Sequence, residues 1–274
     1  QRLGLVDVTD ERIYKRFLFY VFNSRIVRDP ISATSAGTKV KHTSPEKIGA
    51  LNIPVPPVPE QIAIADLLST WDDAIEKIER LIAAKEKYYE HLVSELLADE
   101  THKRKHVRDI AVEVFARNKD TRCERVLSVT NKNGIVLPED QFERRVASAD
   151  LSNYKRVTRG QYAYNPSRIN VGSIARLDEW DMGVLSPMYV VFKLNETMVN
   201  SDFFLHWLSS HEARSRIKNS AQGSVRESVS FTDLGSIAIP LPDIDAQNSI
   251  VAVLNAAKKE IVIFKELADS YRSQ

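Results

Sequence analysis

Laid against itself so that Phe17 falls on Phe203, the sequence matches its own second half. FLFYVFNS, residues 17–24, falls on FFLHWLSS, residues 203–210. Gly37 falls on Gly223, Ser44 on Ser230 and Gly49 on Gly235; Ile53, Pro54 and Pro56 fall on Ile239, Pro240 and Pro242. Gln61, Ile64 and Leu68 fall on Gln247, Ile250 and Leu254, with no gap anywhere between Phe17 and Leu68. Glycine, proline and apolar positions held in one register indicate a duplicated unit. A lone C-terminal piece of a domain would expose an unfinished core, and far less chain precedes Phe17 than precedes Phe203 in its own unit. The expectation is therefore a fragment lacking most of its first globular domain.

In each copy the proline segment leads into a helix. From Ile64 the apolar residues Leu68, Trp71, Ile75, Ile78, Ile82, Tyr89, Leu92 and Leu96 recur at alternating gaps of four and three, with Lys85 the polar member. That is the heptad spacing of a coiled coil, and Asp72, Asp73, Glu76, Lys77, Glu79, Arg80, Glu86 and Lys87 lie off the seam. Pro59 suits a first helical turn, and Glu60 the positive end of the helix dipole. The register carries the seam to Ile250, Leu254, Ala257, Ile261, Phe264, Ala268 and Tyr271. Side-chain sizes differ usefully between the copies, Trp71 against Ala257 and Ile82 against Ala268. Two such helices related by a pseudo-two-fold axis pack antiparallel. IPVPP, residues 53–57, reads as an extended edge segment that no helix can enter from upstream, a joint between a domain and a spacer.

Composition narrows the class only a little. Hydrophobic residues make up 43% and charged residues 27%, and the formal net charge is +1. A balanced total neither supports nor excludes nucleic acid, which needs only a locally basic face. With one cysteine, Cys123, the chain can form no internal disulfide, and a cytosolic compartment is expected. The apolar runs are far shorter than the roughly 20 residues of a membrane span. The opening QRLGLVDVTDERIYKRF is charged throughout and does not read as a signal peptide. Asn195-Glu-Thr is a sequon without consequence in the cytosol.

Residues 106–242 read as short strands and loops. VRDIAVEV is a strand or a short helix start, and RVLSVTNKNGIV a strand running into an Asn133-Gly134 turn. GQYAYNPSRINVGSIARL and GVLSPMYVVFKL read as strand–loop–strand. SDFFLHWLSSHEARSRIKN is the best helix, with Ser201 or Asp202 as its N-cap.

Residues 53–97, IPVPPVPEQIAIADLLSTWDDAIEKIERLIAAKEKYYEHLVSELL, resemble the central conserved region of the specificity (S) subunits of type I restriction–modification enzymes. LSNYKRVTRGQYAYNPSRINVGSIA, GVLSPMYVVF and AQGSVRESVSFTDLGSIAIPLP resemble the target recognition domain of that family. The resemblance covers nearly the whole chain, and both copies match it. It departs at IPLPDIDAQ, where Pro-Glu-Gln is usual, and in the missing first recognition domain. The fold it implies is α+β: a target recognition domain of short strands and helices, plus two long helices forming an antiparallel intramolecular coiled coil. The expected divisions are a remnant of the first recognition domain (1–57), a central spacer helix (58–100), the second recognition domain (101–242) and a C-terminal spacer helix (243–274).

The resemblance further implies a non-catalytic DNA-recognition subunit reading one half of a bipartite double-stranded target. Its helices would dock two methyltransferase (modification) subunits and, through them, a restriction subunit. The complex would use AdoMet, and ATP with magnesium for cleavage, with no cofactor in this chain and no membrane partner. Two copies of the chain could also associate to complete a site. The helix-pairing residues would be Ile64, Leu68, Trp71, Ile75, Ile78, Ile82, Ile250, Leu254, Ile261 and Phe264.

Candidate DNA contacts are polar and basic residues in loops near glycine. Gln222, Gly223, Ser224, Arg226 and Ser228 form the first group, with Arg216 and Lys218 upstream. Gly223 lets the backbone approach a phosphate, Gln222 suits an adenine edge, and Arg226 a phosphate or guanine. Asn165, Arg168, Asn170 and Ser173 form the second group. Asn131, Lys132 and Asn133, with Arg144 and Arg145, form the third. Lys39 and Lys41 occupy the matching loop of the first copy, without residue-by-residue correspondence.

Signs of catalysis are weak. There is no Gly-x-Gly-x-x-Gly and no P-loop. YNPSR lacks the second proline and the aromatic of an amino-methyltransferase motif. His102 and His106 bracket a basic junction rather than a zinc site. The competing readings are a coiled-coil assembly scaffold that binds protein, and a degenerate methyltransferase.

Overall fold

The structure is a computed structural model in which residues 6–34, 43–97, 102–137, 150–221 and 228–272 are described. It divides into two compact units, residues 1–83 with 263–274 and residues 84–262.

The first unit holds α1 (Lys15–Asn23), α2 (Arg25–Thr34), α3 (Pro45–Gly49) and the opening turns of α4 (Val58–Leu97). Ser24 is extended (φ −77°, ψ 162°), which ends α1, and its amide donates to the Val21 carbonyl. Ser44 caps α3 by accepting from the Lys47 amide, with Pro45 in the first turn. Phe17, Val21, Val27 and Ala65 form the core, with Tyr14, Tyr20, Ile31, Leu51, Ile53 and Ile64 packed around them.

The second copy reproduces this pattern. α6 (Ser201–Ser209), α7 (His211–Ala221), α8 (Phe231–Gly235) and α9 (Ile244–Arg272) are the counterparts of α1, α2, α3 and α4. Each begins at the residue that the register of the repeat assigns to it: Ser201 matches Lys15, His211 matches Arg25, Phe231 matches Pro45 and Ile244 matches Val58. Ser210, the counterpart of Ser24, is extended in the same way (φ −69°, ψ 155°), and its amide donates to Trp207. Ser230, the counterpart of Ser44, caps α8 in a box with Asp233.

Two expectations are corrected here. The single helix from residue 201 is two helices, because the Ser210 hydroxyl accepts from the Ala213 amide and starts a new one. The cap of α6 is Asn200, not Ser201 or Asp202: its side-chain oxygen accepts from the amides of Asp202 and Phe203. Asp202 instead bonds Arg176 at 2.8 Å.

The second unit is built on a four-stranded antiparallel sheet, in the order β2 (Ala111–Glu113), β9 (Val190–Leu194), β6 (Tyr162–Tyr164), β7 (Ile174–Arg176). VRDIAVEV supplies both a short helix, α5 (Val107–Ile110), and β2. Strand alternation sorts the side chains to two faces. Tyr162, Tyr164 and Phe192 join Phe203, Phe204 and Trp207 under the helices. Ala163, Ala175 and Val191 face a second cluster with Leu127, Val129, Val157 and Leu185. That second layer comes from the β3 (Ser128–Val129)/β4 (Ile135–Val136) hairpin and the β5 (Lys155–Thr158)/β8 (Met182–Leu185) pair. Tyr162 stacks on Phe192 with centroids 5.1 Å apart and meets Phe204 edge-on at 5.3 Å. These rings, all buried, carry much of the apolar stabilisation.

β10 (Ala238–Pro240) pairs antiparallel with β1 (Arg104–His106). In the first copy the equivalent Asn52–Pro54 has no strand. The edge segment therefore needs its partner strand as well as its prolines.

The long helices are antiparallel. In the first unit Trp71 packs on Tyr271 at 5.2 Å, and Arg272 bonds Glu79 at 2.5 Å. In the second, Lys85, the polar seam position, bonds Glu260 at 2.6 Å. Leu92 and Leu96 pack with Ile250, Val251 and Leu254, and Ile261 is buried. Ile64, Trp71, Ile75, Ile78, Ile82 and Phe264 are half-buried. Leu68 is 38% exposed and, with Phe17, Tyr20 and Pro54, lines an apolar groove of about 550 Å³.

Candidate nucleic-acid interface

Strand directions put one set of loops at one end of the sheet. β6 pairs with β9 so that Tyr164 faces Val190, and with β7 so that Tyr164 faces Ile174. The segment after β6, the turn before β9 and the segment before β7 therefore leave the sheet at the same end.

The Asn165–Ser173 loop is tightly made. The Asn165 side-chain oxygen accepts from the Ser167 amide, an Asx turn, and its own amide donates to the Ser173 carbonyl. A 3-10 turn, Ile169–Val171, follows and closes on Gly172 in the left-handed region (φ 94°). Ser173 is 3% exposed, and its hydroxyl donates to the Val129 carbonyl at 2.9 Å. Asn165 is 8% exposed. Both therefore build the loop, whereas Arg168 and Asn170 stand at its surface.

That Ser173 bond brings in the β3–β4 hairpin. Its loop closes through Thr130, whose amide donates to the Gly134 carbonyl at 2.7 Å and whose hydroxyl accepts from the Asn133 amide. Gly134 has φ 70°, the conformation the Asn-Gly turn requires. Asn131 lies alongside Gly172: a Cβ there would sit 3.8 Å from the Asn131 Cβ. Asn131, Lys132 and Asn133 are exposed.

Val229, the described residue after the third group, is fixed at the same place, since its amide donates to the Pro166 carbonyl at 3.0 Å. Ser228, just before it, is half-buried. Gln222, Gly223, Ser224 and Arg226 lie outside the described residues, as do Arg144, Arg145, Lys39 and Lys41. Arg216 is held on α7 by Glu212 at 2.7 Å, and Lys218 is exposed.

The electrostatics of this end are uneven. Glu113 is engaged by Lys155 at 3.8 Å, and Asp233 by the α8 cap. Among the described residues, the Arg168 guanidinium and the Lys132 ammonium have no protein partner. Burial raises the Tyr164 hydroxyl far above its ordinary range, with Glu113 and Asp233 adding to the effect, so it stays neutral. Sequence reasoning missed three exposed apolar side chains at this end, Phe115, Val171 and Met188. Only Pro187, which interrupts the strands of GVLSPMYVVFKL just before Met188, gave any sign of them.

The His106 ring donates from Nδ1 to the Ser236 carbonyl at 2.8 Å, a structural tie. Among the described residues no cluster of three His, Cys, Asp or Glu side chains is placed to hold a metal ion. Cys123 is buried, its backbone bracketed by both ends of the Asn118 amide. No helix among the described residues is long and apolar enough to cross a membrane.

Comparison with known proteins adds the family. The model of the type I restriction modification DNA specificity domain matches residues 2–86 and 162–268. The chain belongs to this family. The two matched blocks contain the two copies of the repeat. The chain is 22% identical over 287 residues to the Escherichia coli type I restriction enzyme EcoBI specificity subunit, covering 92% of this chain and 60% of that protein. It is 34% identical over 61 residues to the EcoKI specificity subunit of E. coli strain K12, 22% of this chain and 13% of that protein. The specificity-domain chain thus spans about three-fifths of its EcoBI relative.

Its fold is shared with the type I restriction–modification S subunit of M. genitalium. The TM-score is 0.59 and identity 16%, over 97% of this chain and 71% of that one. A chain from a structure describing complex assembly and conformational transition of a type I R-M system gives 0.58 and 14%, over 94% and 67%.

Proposed function

We propose that residues 101–242 read one half of a bipartite double-stranded DNA target, and that α4 and α9 dock methyltransferase subunits. The observation that carries this reading is the meeting of the Asn165–Ser173 loop and the β3–β4 hairpin loop at one end of the β2–β9–β6–β7 sheet, tied by Ser173 to Val129, with Val229 bonded to Pro166 beside them. Arg168 and Lys132, which have no partner among the described residues, supply cations there for phosphate, while Asn131 and Asn170 offer amides that suit base edges. The paired long helices support a spacer role, as a fixed separation between readers sets half-site spacing. The repeat of the same helix starts in both copies supports two equivalent docking positions, and hence two modification subunits, with a restriction subunit joining through them.

In this reading the chain performs no chemistry, and AdoMet and ATP with magnesium are bound by its partners in the cytoplasm. Methylation mapping of DNA from cells carrying the complete system tests it. Exchange of residues 101–242 for the equivalent segment of another specificity subunit is expected to change one half of the methylated motif and leave the other. An unchanged motif would contradict the assignment.

A further inference from the structure

We propose that Phe115, Val171 and Met188 are the apolar part of the DNA contact and read the C5 methyl group of thymine in the major groove. The proposal rests on the DNA-reading assignment above. The three side chains are 71%, 57% and 55% exposed. Phe115 follows β2, Met188 precedes β9 and Val171 precedes β7, so all three leave the sheet at the loop end. A strand spacing of about 4.8 Å spreads them along a rim roughly 15 Å long, the scale of a DNA groove.

Each is carried on fixed backbone. Phe115 is flanked by the Val114 amide donating to Val191 at 2.7 Å and the Arg156 amide donating to Ala116 at 2.8 Å. Met188 sits in a turn closed by the Tyr189 amide donating to Ser186, and the Tyr189 hydroxyl meets the Ser128 hydroxyl at 3.2 Å. Val171 ends the 3-10 turn, one residue before Gly172. Met188 and Val171 project from short turns and Phe115 from the extended segment between β2 and the Arg117–Lys155 bridge, and all three stand out in solvent.

Single exposed apolar residues are ordinary on any surface. What distinguishes these is their company. They share one rim with the cations of Arg168 and Lys132, which have no partner among the described residues, and the amides of Asn131 and Asn170, while Glu113 and Asp233 are already engaged. A protein-docking core is depleted in charge and wants contiguous apolar surface. A DNA groove presents what this rim matches: phosphates for cations, base edges for amides, and isolated thymine methyls for apolar groups.

The test uses the full chain assembled with its modification subunits. DNA is selected from a random pool and compared in two forms, one with thymine and one with uracil. The half-site assigned to residues 101–242 is expected to contain thymine, and uracil there to weaken binding about fourfold per methyl removed. Val171→Ser, Met188→Ser and Phe115→Ser should lose that discrimination with unchanged melting, since all three side chains are exposed. Selective binding that is equal for thymine and uracil forms would overturn the proposal. So would serine variants that release a subunit while keeping DNA selectivity, which would assign the rim to protein docking. Failure to select any DNA would remove the underlying assignment, and the proposal with it.

Discussion

Gln61 and Gln247, matched positions of the repeat, make the same hydrogen bonds in the two copies. The Gln61 Oε1 accepts from the Tyr14 amide at 2.8 Å, and its Nε2 donates to the carbonyls of Arg12 and Pro56 at 2.8 and 2.7 Å. The Gln247 Oε1 accepts from the Asn200 amide at 2.8 Å, and its Nε2 donates to Met198 and Pro242 at 3.1 and 2.9 Å. Each partner obeys the register that sets Phe17 on Phe203: Tyr14 corresponds to Asn200, Arg12 to Met198 and Pro56 to Pro242. Both glutamines are fully buried, and each ties the first turn of a long helix to the segment entering α1 or α6 and to the proline run. This is the joint that the sequence pattern of prolines and glutamine encodes.

Gln61→Leu and Gln247→Leu should therefore each cost about 2 kcal/mol or more, because buried backbone groups lose their partners while the apolar side chain cannot replace them. Hydrogen exchange locates the effect: the Tyr14 amide should lose protection in the first variant and the Asn200 amide in the second. Equal loss at both amides in either variant would contradict the independence of the two joints.

Gly183 tests the packing of the second layer. A Cβ at this position would overlap Leu127 Cδ1 and lie 2.7 Å from its Cγ, and Leu127 is 2% exposed. Gly183→Ala is expected to destabilise by about 1–3 kcal/mol through overpacking, read as a lowered denaturation midpoint.

His206 makes the stability of the second unit depend on pH. Its Nδ1 meets the Tyr89 hydroxyl at 2.7 Å and its Nε2 the Asn255 Oδ1 at 2.9 Å. Asn255 in turn donates to Asp202 at 3.2 Å, and Asp202 pairs with Arg176. Burial pushes the imidazole below its ordinary value of 6.5; Lys258 acts in the same direction, against Asn255 and Asp202. The unfolded chain then binds the extra proton more readily. Stability is full above about pH 6.5 and falls as the pH drops below it, by at most about 1.4 kcal/mol per pH unit. Melting at pH 7.5 and 5.5 should show this loss in the native protein and a smaller one in His206→Gln.

Arg168→Ala should weaken DNA binding by about 1–3 kcal/mol if the guanidinium reads a base, or flatten the salt dependence by about one if it meets a phosphate. Binding isotherms at several salt concentrations separate the two. No change in either would remove Arg168 from the interface.

The long helices were legible because the heptad seam after each proline run is a feature of adjacent residues. The short helices α3 and α8 were not: SAQGSVRESVSFTDLGSIAIPLP reads as a polar loop and a final strand, and five-residue helices leave too little periodicity to show. The break at Ser210 was hidden because SDFFLHWLSSHEARSRIKN has unbroken helical propensity, and a hydroxyl that caps one turn looks like any other serine. Asn200 was passed over in favour of Ser201 and Asp202, since all three are good caps and only the distant Arg176 decides between them. The candidate loops were found singly, from glycine and polar residues. The meeting of the Asn165–Ser173 and Asn131–Asn133 loops depends on Ser173 with Val129, and the position of Val229 on its bond to Pro166, bonds spanning sequence separations no local pattern encodes. For the same reason Ser173 looked like a DNA contact, although its hydroxyl is spent inside the fold.

The central claim is that the loop end of the β2–β9–β6–β7 sheet faces DNA. Photo-crosslinkers placed singly at Asn170 and at Glu196, exposed residues at opposite ends of that sheet, would be irradiated in the assembled complex on DNA it has selected. Crosslinks to DNA from position 170 and none from position 196 are predicted; crosslinks from 196 with none from 170 would contradict the claim.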